Sequence, residues 1–134
     1  MKLYDMIFFH IVGHGRGWAF SSVDLIDKFN RQQIDNILSD LTKDRKIRRV
    51  TRGIYDCPKY SEFLKQDLSP NIEQVVLAIA RKFNRRVEIS GDSALNNLNL
   101  STQIEAKYIY LNDGPNRNYK LFNDIEIDLK YSFL

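Results

Sequence analysis

The chain has 134 residues, 43% of them hydrophobic and 28% charged, enough apolar material for one core or two small ones and too much for a wholly disordered polymer. Its formal charge is only +3, yet it is unevenly placed: residues 1–60 carry 11 Lys and Arg against 7 Asp and Glu, and residues 61–134 carry 9 against 10. A lone cysteine, Cys57, excludes an intrachain disulfide and suits a reducing cytoplasm, and no run of 18 apolar residues exists to form a membrane-spanning helix. The opening apolar run is broken by Asp5 and His10 and no small-residue cleavage site follows, so it does not read as a signal peptide.

In chain order, Ile7, Phe8, Ile11 and Val12 fall at helical spacing, and Gly13, Gly15 and Gly17 stop that helix. Trp18-Ala19-Phe20 is a short extended piece. Ser21 or Ser22 can cap a second helix over 22–29, with Asp24 in its first turn. Asn30 can cap a third, starting at Arg31, whose apolar stripe is Ile34, Ile37, Leu38 and Leu41. Ile47, Val50, Ile54 and Tyr55 then suit two strands joined by a turn at Arg52-Gly53. Helix, short strand, helix, helix, hairpin is the order of a winged helix-turn-helix, assigned to residues 1–60.

Pro58 and residues 59–70 read as a connector. Residues 70–83 predict a helix with Val75, Val76, Ile79 and Ala80 inward and Pro70 near its first turn. Residues 86–90 predict a strand and 91–100 a short helix. From Ala106 the pattern is β, with turns at Gly114-Pro115-Asn116 and Asn123-Asp124; Ile125, Ile127 and Leu129 alternate with Glu126, Asp128 and Lys130. The fold class is therefore α+β: a winged helix-turn-helix followed, over 61–134, by a small α+β domain with an antiparallel sheet. The charge division suggests that the halves are separable, a fragment ending near Lys59 keeping the basic one.

The basic character peaks over residues 43–52, where six of ten residues are Lys or Arg and only Asp44 is acidic, a local field that points to a polyanion. In a winged helix the third helix enters the major groove and the hairpin meets the backbone. Gln32 and Asn36, one turn apart on the face opposite the apolar stripe, both carry the donor–acceptor pair that adenine N6 and N7 require. Arg31 can reach guanine or phosphate, and the backbone amides of Arg31 and Gln32 are placed to receive a phosphate. Gln33 and Lys43 extend this set along the helix, and Arg48, Arg49 and Arg52 supply a phosphate clamp on the hairpin. The competing reading makes the amides a solvated face and the arginines a device that keeps an edge strand soluble; the agreement of helix order and charge favours duplex DNA.

Other constellations are weaker. His10 and His14 are four apart, but with Cys57 they make only three zinc ligands, and Gly13 ends the helix between them. Gly91 and Ser93 with Asp124, Glu126 and Asp128 bring to mind a nucleotidyltransferase, but the acids lie about thirty residues from the loop, too far for that motif's adjacent strands. Gly91 and Ser93 as a helix cap explain the same residues. The basic end of the helix over 70–83 complements its dipole, so a packed helix is favoured over a membrane-surface one. No enzyme, cofactor, metal or membrane partner is expected.

The segments "GHGRGWAF", "IDNILSDLTKDRKIRRVTRGIYDCPKY", "LSPNIEQVVLAIARK", "SGDSALNNLNLSTQ" and "YIYLNDGPNR", in this order and spacing, resemble the AbiEi-type antitoxin regulators of bacteria, in particular their short, long-uncharacterised subgroup. The resemblance implies a cytoplasmic repressor whose winged helix binds repeats in its own promoter, and a C-terminal domain that counteracts a nucleotidyltransferase-like toxin of a toxin-antitoxin or phage-defence operon. Against that family, the chain stops at Leu134 where further helices usually follow, and Asn99 stands where glycine is frequent. The alternative is a protein-interaction module that uses a winged-helix scaffold without reading DNA.

Overall fold

The structure, a computed structural model, describes residues 1–89 and 107–132; the expected helix over 91–100, with Gly91 and Ser93, lies outside them. The architecture is α+β. The first half runs α1 (Leu3–Gly13), β1 (Ala19–Phe20), a one-turn 3-10 helix (Ser22–Leu25), α2 (Arg31–Lys43), β2 (Arg48–Thr51) and β3 (Ile54–Asp56). The second runs β4 (Tyr60–Ser61), β5 (Gln66–Asp67), α3 (Ile72–Phe83), β6 (Lys107–Asn112), β7 (Arg117–Lys120) and β8 (Glu126–Tyr131). Among the described residues no helix is long and apolar enough to cross a membrane.

Local chemistry explains most of these boundaries. Asn30 and Asn71 cap α2 and α3, their side-chain oxygens accepting backbone N–H groups of the first turn. Asn84, left-handed at φ 54°, closes α3. The helix expected over 22–29 is wound only as a 3-10 turn. Its start is capped, Asp24 folding back to accept the Ser21 N–H at 3.0 Å, and Arg81 binds the same carboxylate from outside. The expected connector instead contains a two-stranded hairpin, β4–β5, closed by the Leu68 N–H donating to Lys59 O at 2.7 Å.

The first-half sheet has strand order β1-β3-β2, all antiparallel, with β2 and β3 joined by the Arg52-Gly53 turn. Gly53 sits at φ 73°, a conformation that glycine adopts without steric cost. Because strand side chains alternate, this small sheet has two apolar faces. Phe20, with Tyr55, joins Ile7, Ile11, Leu25, Ile34, Leu38, Leu41 and Ile47 in a core beneath α1 and α2. Ala19, Val50 and Ile54 join Val75, Val76, Ile79, Tyr110, Tyr119, Ile127 and Leu129 in a second core with α3 and the last sheet.

That last sheet departs from expectation in its pairing. β7 and β8 form the expected antiparallel hairpin, but β6 pairs with β8 in parallel, giving the order β6-β8-β7 and a mixed sheet. The Gly114-Pro115-Asn116 segment is therefore not a hairpin turn between neighbours; it carries the chain past β8 to its far side. Side chains hold it there. The Asn112 amide donates to Lys130 O and its oxygen accepts the Gly114 N–H, while Asn116 Oδ1 accepts the Tyr131 N–H.

The halves are also stitched by polar contacts. β2 is bulged between Arg49 and Thr51, and the carbonyl of Val50 at the bulge accepts the Phe122 N–H at 3.1 Å. The Thr51 hydroxyl donates to Lys120 O at 3.1 Å. A cut near Lys59 would uncover Ala19, Val50 and Ile54. Urea unfolding of the full chain is accordingly expected to give a single transition, coincident by far-UV circular dichroism and by fluorescence of Trp18, the only tryptophan. Ile54→Ala, at a fully buried position, should lower that transition by about 2–5 kcal/mol; two separate transitions would show that the halves fold independently.

Candidate nucleic-acid interface

α2 presents the candidate surface. Ile34, Leu38 and Leu41 point into the core. At about 100° per residue this leaves Gln32, Asn36, Ser39 and Lys43 directly outward, with Gln33 and Asp40 on one flank and Arg31 and Asp35 on the other, and all eight are exposed. The outward row carries hydrogen-bonding groups and one cation and no carboxylate. At the helix start, Asn30 Oδ1 already accepts the Gln32 N–H at 2.9 Å and the Gln33 N–H at 3.4 Å. The Gln32 amide, expected to meet a phosphate, is thus satisfied within the protein.

The cations divide into three kinds. Arg31 pairs with Asp35 at 3.3 Å, both groups more than half exposed, a weak contact that a stronger anion can displace. Arg49 is exposed and has no hydrogen-bond or ion-pair partner among the described residues. Arg52 is exposed but pinned: it donates to Asn118 O at 2.9 Å and its guanidinium stacks over the Tyr119 ring at 4.1 Å. Arg48 is different and leaves the phosphate set. It donates to both oxygens of Asp56, at 2.8 and 3.2 Å, and to Leu68 O at 2.7 Å, and lies over the Phe122 ring. Asp56 is 2% exposed; burial pushes its carboxyl above the usual range and Arg48 pulls it back. Sequence spacing placed Arg48 beside Arg49 on the hairpin, but strand alternation turns it to the opposite face, toward an acid that only the folded chain brings there.

The structure adds one cation that the sequence reading left out. Lys82, in the last turn of α3, reaches across to the hairpin, and its ammonium lies so close to Gly53 that a methyl group at that position would overlap it. Burial lowers its pKa, and the fields of Arg31, Arg52 and Arg49 lower it further. The signal for it was the basic end of a helix, which the sequence assigns equally well to the helix dipole.

The remaining candidate sets do not converge. His14 stacks on Trp18 at 3.6 Å between ring centres and meets His10 edge-on at 5.2 Å. Cys57 is buried, which raises its thiol pKa, and it accepts from Arg16 at 2.9 Å. Among the described residues no three His, Cys, Asp or Glu side chains gather as metal ligands. Asp128 is held below the usual carboxylate range by the Asn118 amide and then by Lys107, and Asp124 lies in the β7–β8 turn.

The chain belongs to a family of unknown function, DUF6088, whose sequence pattern matches residues 7–131. No curated protein and no solved structure matches it.

The Arg48–Asp56 pair carries a stability prediction. Arg48→Met leaves a buried carboxylate without its cation and should cost about 3 kcal/mol near neutral pH. The sign follows from the raised Asp56 pKa: the folded variant then holds its proton more tightly than the unfolded chain, so the deficit should be smallest in acid and grow as pH rises past the ordinary aspartate value. Denaturant melts of both proteins from acid to neutral pH check this; a deficit that does not vary with pH would place the cost elsewhere.

Proposed function

We propose that this protein binds duplex DNA through a winged helix-turn-helix in its first half, with α2 as the recognition helix in the major groove and the β2–β3 hairpin against the backbone. The observation that carries the reading is the outward row Gln32, Asn36, Ser39 and Lys43, itself free of carboxylates with Asp35 and Asp40 only on its flanks, together with the exposed Arg31, Arg49 and Arg52. The helix order and the β1-β3-β2 strand order suit this scaffold. Gln32 and Asn36 have the chemistry for adenine edges, with Gln33 beside them, and Lys43 and the arginines have it for phosphates. From the resemblance to AbiEi-type regulators we extend the reading to a cytoplasmic transcriptional repressor that acts as an antitoxin, opposing a nucleotidyltransferase-like toxin encoded with it. No enzymatic activity is part of this reading.

Duplex affinity is expected to fall steeply with salt, log K against log salt having a slope of about −4 for four to five neutralised phosphates. Gln32→Ala and Asn36→Ala should relax sequence preference, each losing about 1–3 kcal/mol of discrimination. Arg49→Ala should weaken all duplexes alike. Selection from randomised duplexes followed by anisotropy titrations measures all three. Salt-independent affinity would refute duplex binding, and unchanged preference in both helix variants would mean that another face is the reader.

A further inference from the structure

Four cations from three elements meet at the seam between the halves: Arg31 at the start of α2, Arg49 and Arg52 on the hairpin, and Lys82 at the end of α3. Such a gathering opposes folding, since like charges repel and burial strips water from them. Lys82 is the sharpest case. It is half-buried against Gly53, it has no carboxylate partner among the described residues, and its ring contact is with Phe83 at 5.3 Å. The helix dipole accounts for a cation in the last turn of α3, but an ammonium there could extend into solvent. Instead it lies against Gly53, beside Arg52 in the hairpin turn, within the fields of Arg31, Arg49 and Arg52. The exposed Asp35, paired with Arg31, offsets part of this charge. Arg52 is already fixed by Asn118 O and Tyr119, so ordering it on an anion loses little entropy.

We infer that Arg31, Arg49, Arg52 and Lys82 form a binding site for one backbone phosphate of the duplex, completed by α3, so that DNA engagement depends on the second half of the chain. The inference rests on the duplex-binding reading above. A phosphodiester suits the set because its two free oxygens can be shared between forked guanidinium donors and a point-charge ammonium. The site adjoins the outward row of α2 through Arg31, so it registers the helix on the backbone while Gln32 and Asn36 meet bases.

The test uses the full chain, its Lys82→Met variant, which removes the charge at nearly the same volume, and Lys82→Arg, which keeps it. Lys65→Met, at an exposed position in the β4–β5 turn, is the control. Anisotropy titrations on a preferred and a scrambled duplex are run over a range of salt. Lys82→Met should weaken both duplexes by a similar factor and make the salt slope shallower by about one. Lys82→Arg should retain most of the affinity, and the control all of it. Lys82→Met should also melt no lower than the wild type, because it relieves a desolvated, repelled charge; a structural lysine would show the reverse. Wild-type affinity and slope in Lys82→Met, with the wild type still salt-sensitive, would overturn this site and leave duplex binding intact, and so would a loss matched by a lower melting temperature. Should the wild type bind no duplex at any salt, the duplex reading fails and this site as a DNA contact fails with it. The side-chain NMR signal of Lys82, titrated with inorganic phosphate, then shows whether a bare anion site persists: no saturable shift excludes that as well.

Discussion

The structure depends on a three-stranded sheet that is buried on both faces. Its strands are only two to four residues long, too short to persist as an isolated ribbon. They persist because neighbouring residues serve different cores: Phe20 faces α1 and α2 while Ala19 faces α3, and Tyr55 and Ile54 divide in the same way. A slip of one residue would exchange these faces, placing the large Phe20 ring against α3 and Ala19 beneath α2, so the register is set from both sides at once. The bulge in β2 belongs to the same constraint. It brings Val50 into the second core and frees its carbonyl for the Phe122 N–H, so the irregular residue is satisfied by the other half of the chain.

This double burial fixes where the hairpin points, and so where its charges go. Residues on β2 alternate, so adjacent arginines have opposite duties. Arg48 neutralises the buried Asp56 and reaches Leu68 O, while Arg49 faces solvent. Thr51 and Arg52 bind carbonyls of β7, which anchors the base and tip of the turn to the last sheet. Arg81 ties α3 back to the first half by donating to Asp24 at 2.8 Å and to Ala19 O at 2.9 Å. Two consecutive basic residues of α3 thus divide as the two arginines of β2 do, Arg81 holding the halves together and Lys82 adding to the surface charge. A count of Lys and Arg along the chain cannot separate these roles, because both kinds contribute the same unit to the net charge.

Much was legible in the sequence because it is local. Asn30 before Arg31 and the 3.6-residue stripe of Ile34, Leu38 and Leu41 fixed α2 and its outward face; Arg52-Gly53 fixed the hairpin turn; the valines and isoleucine of α3 fixed its buried side. These signals act over a few residues, through capping, periodicity and the backbone freedom of glycine, and no distant partner is needed to read them. What the tertiary structure decided is what depends on distant partners. The parallel pairing of β6 with β8 rests on side-chain bonds from Asn112 and Asn116 to a strand some fifteen residues further on. The expected second helix is wound only as a 3-10 turn, and Arg81, 57 residues away, binds its Asp24. Arg48 is engaged by Asp56, its partner across the bulged hairpin, and Lys82 lies against Gly53, neighbours that a count of charges along the chain does not name. The energy of a charge is set by what surrounds it within a few ångströms, and the sequence states the charge without stating the surroundings.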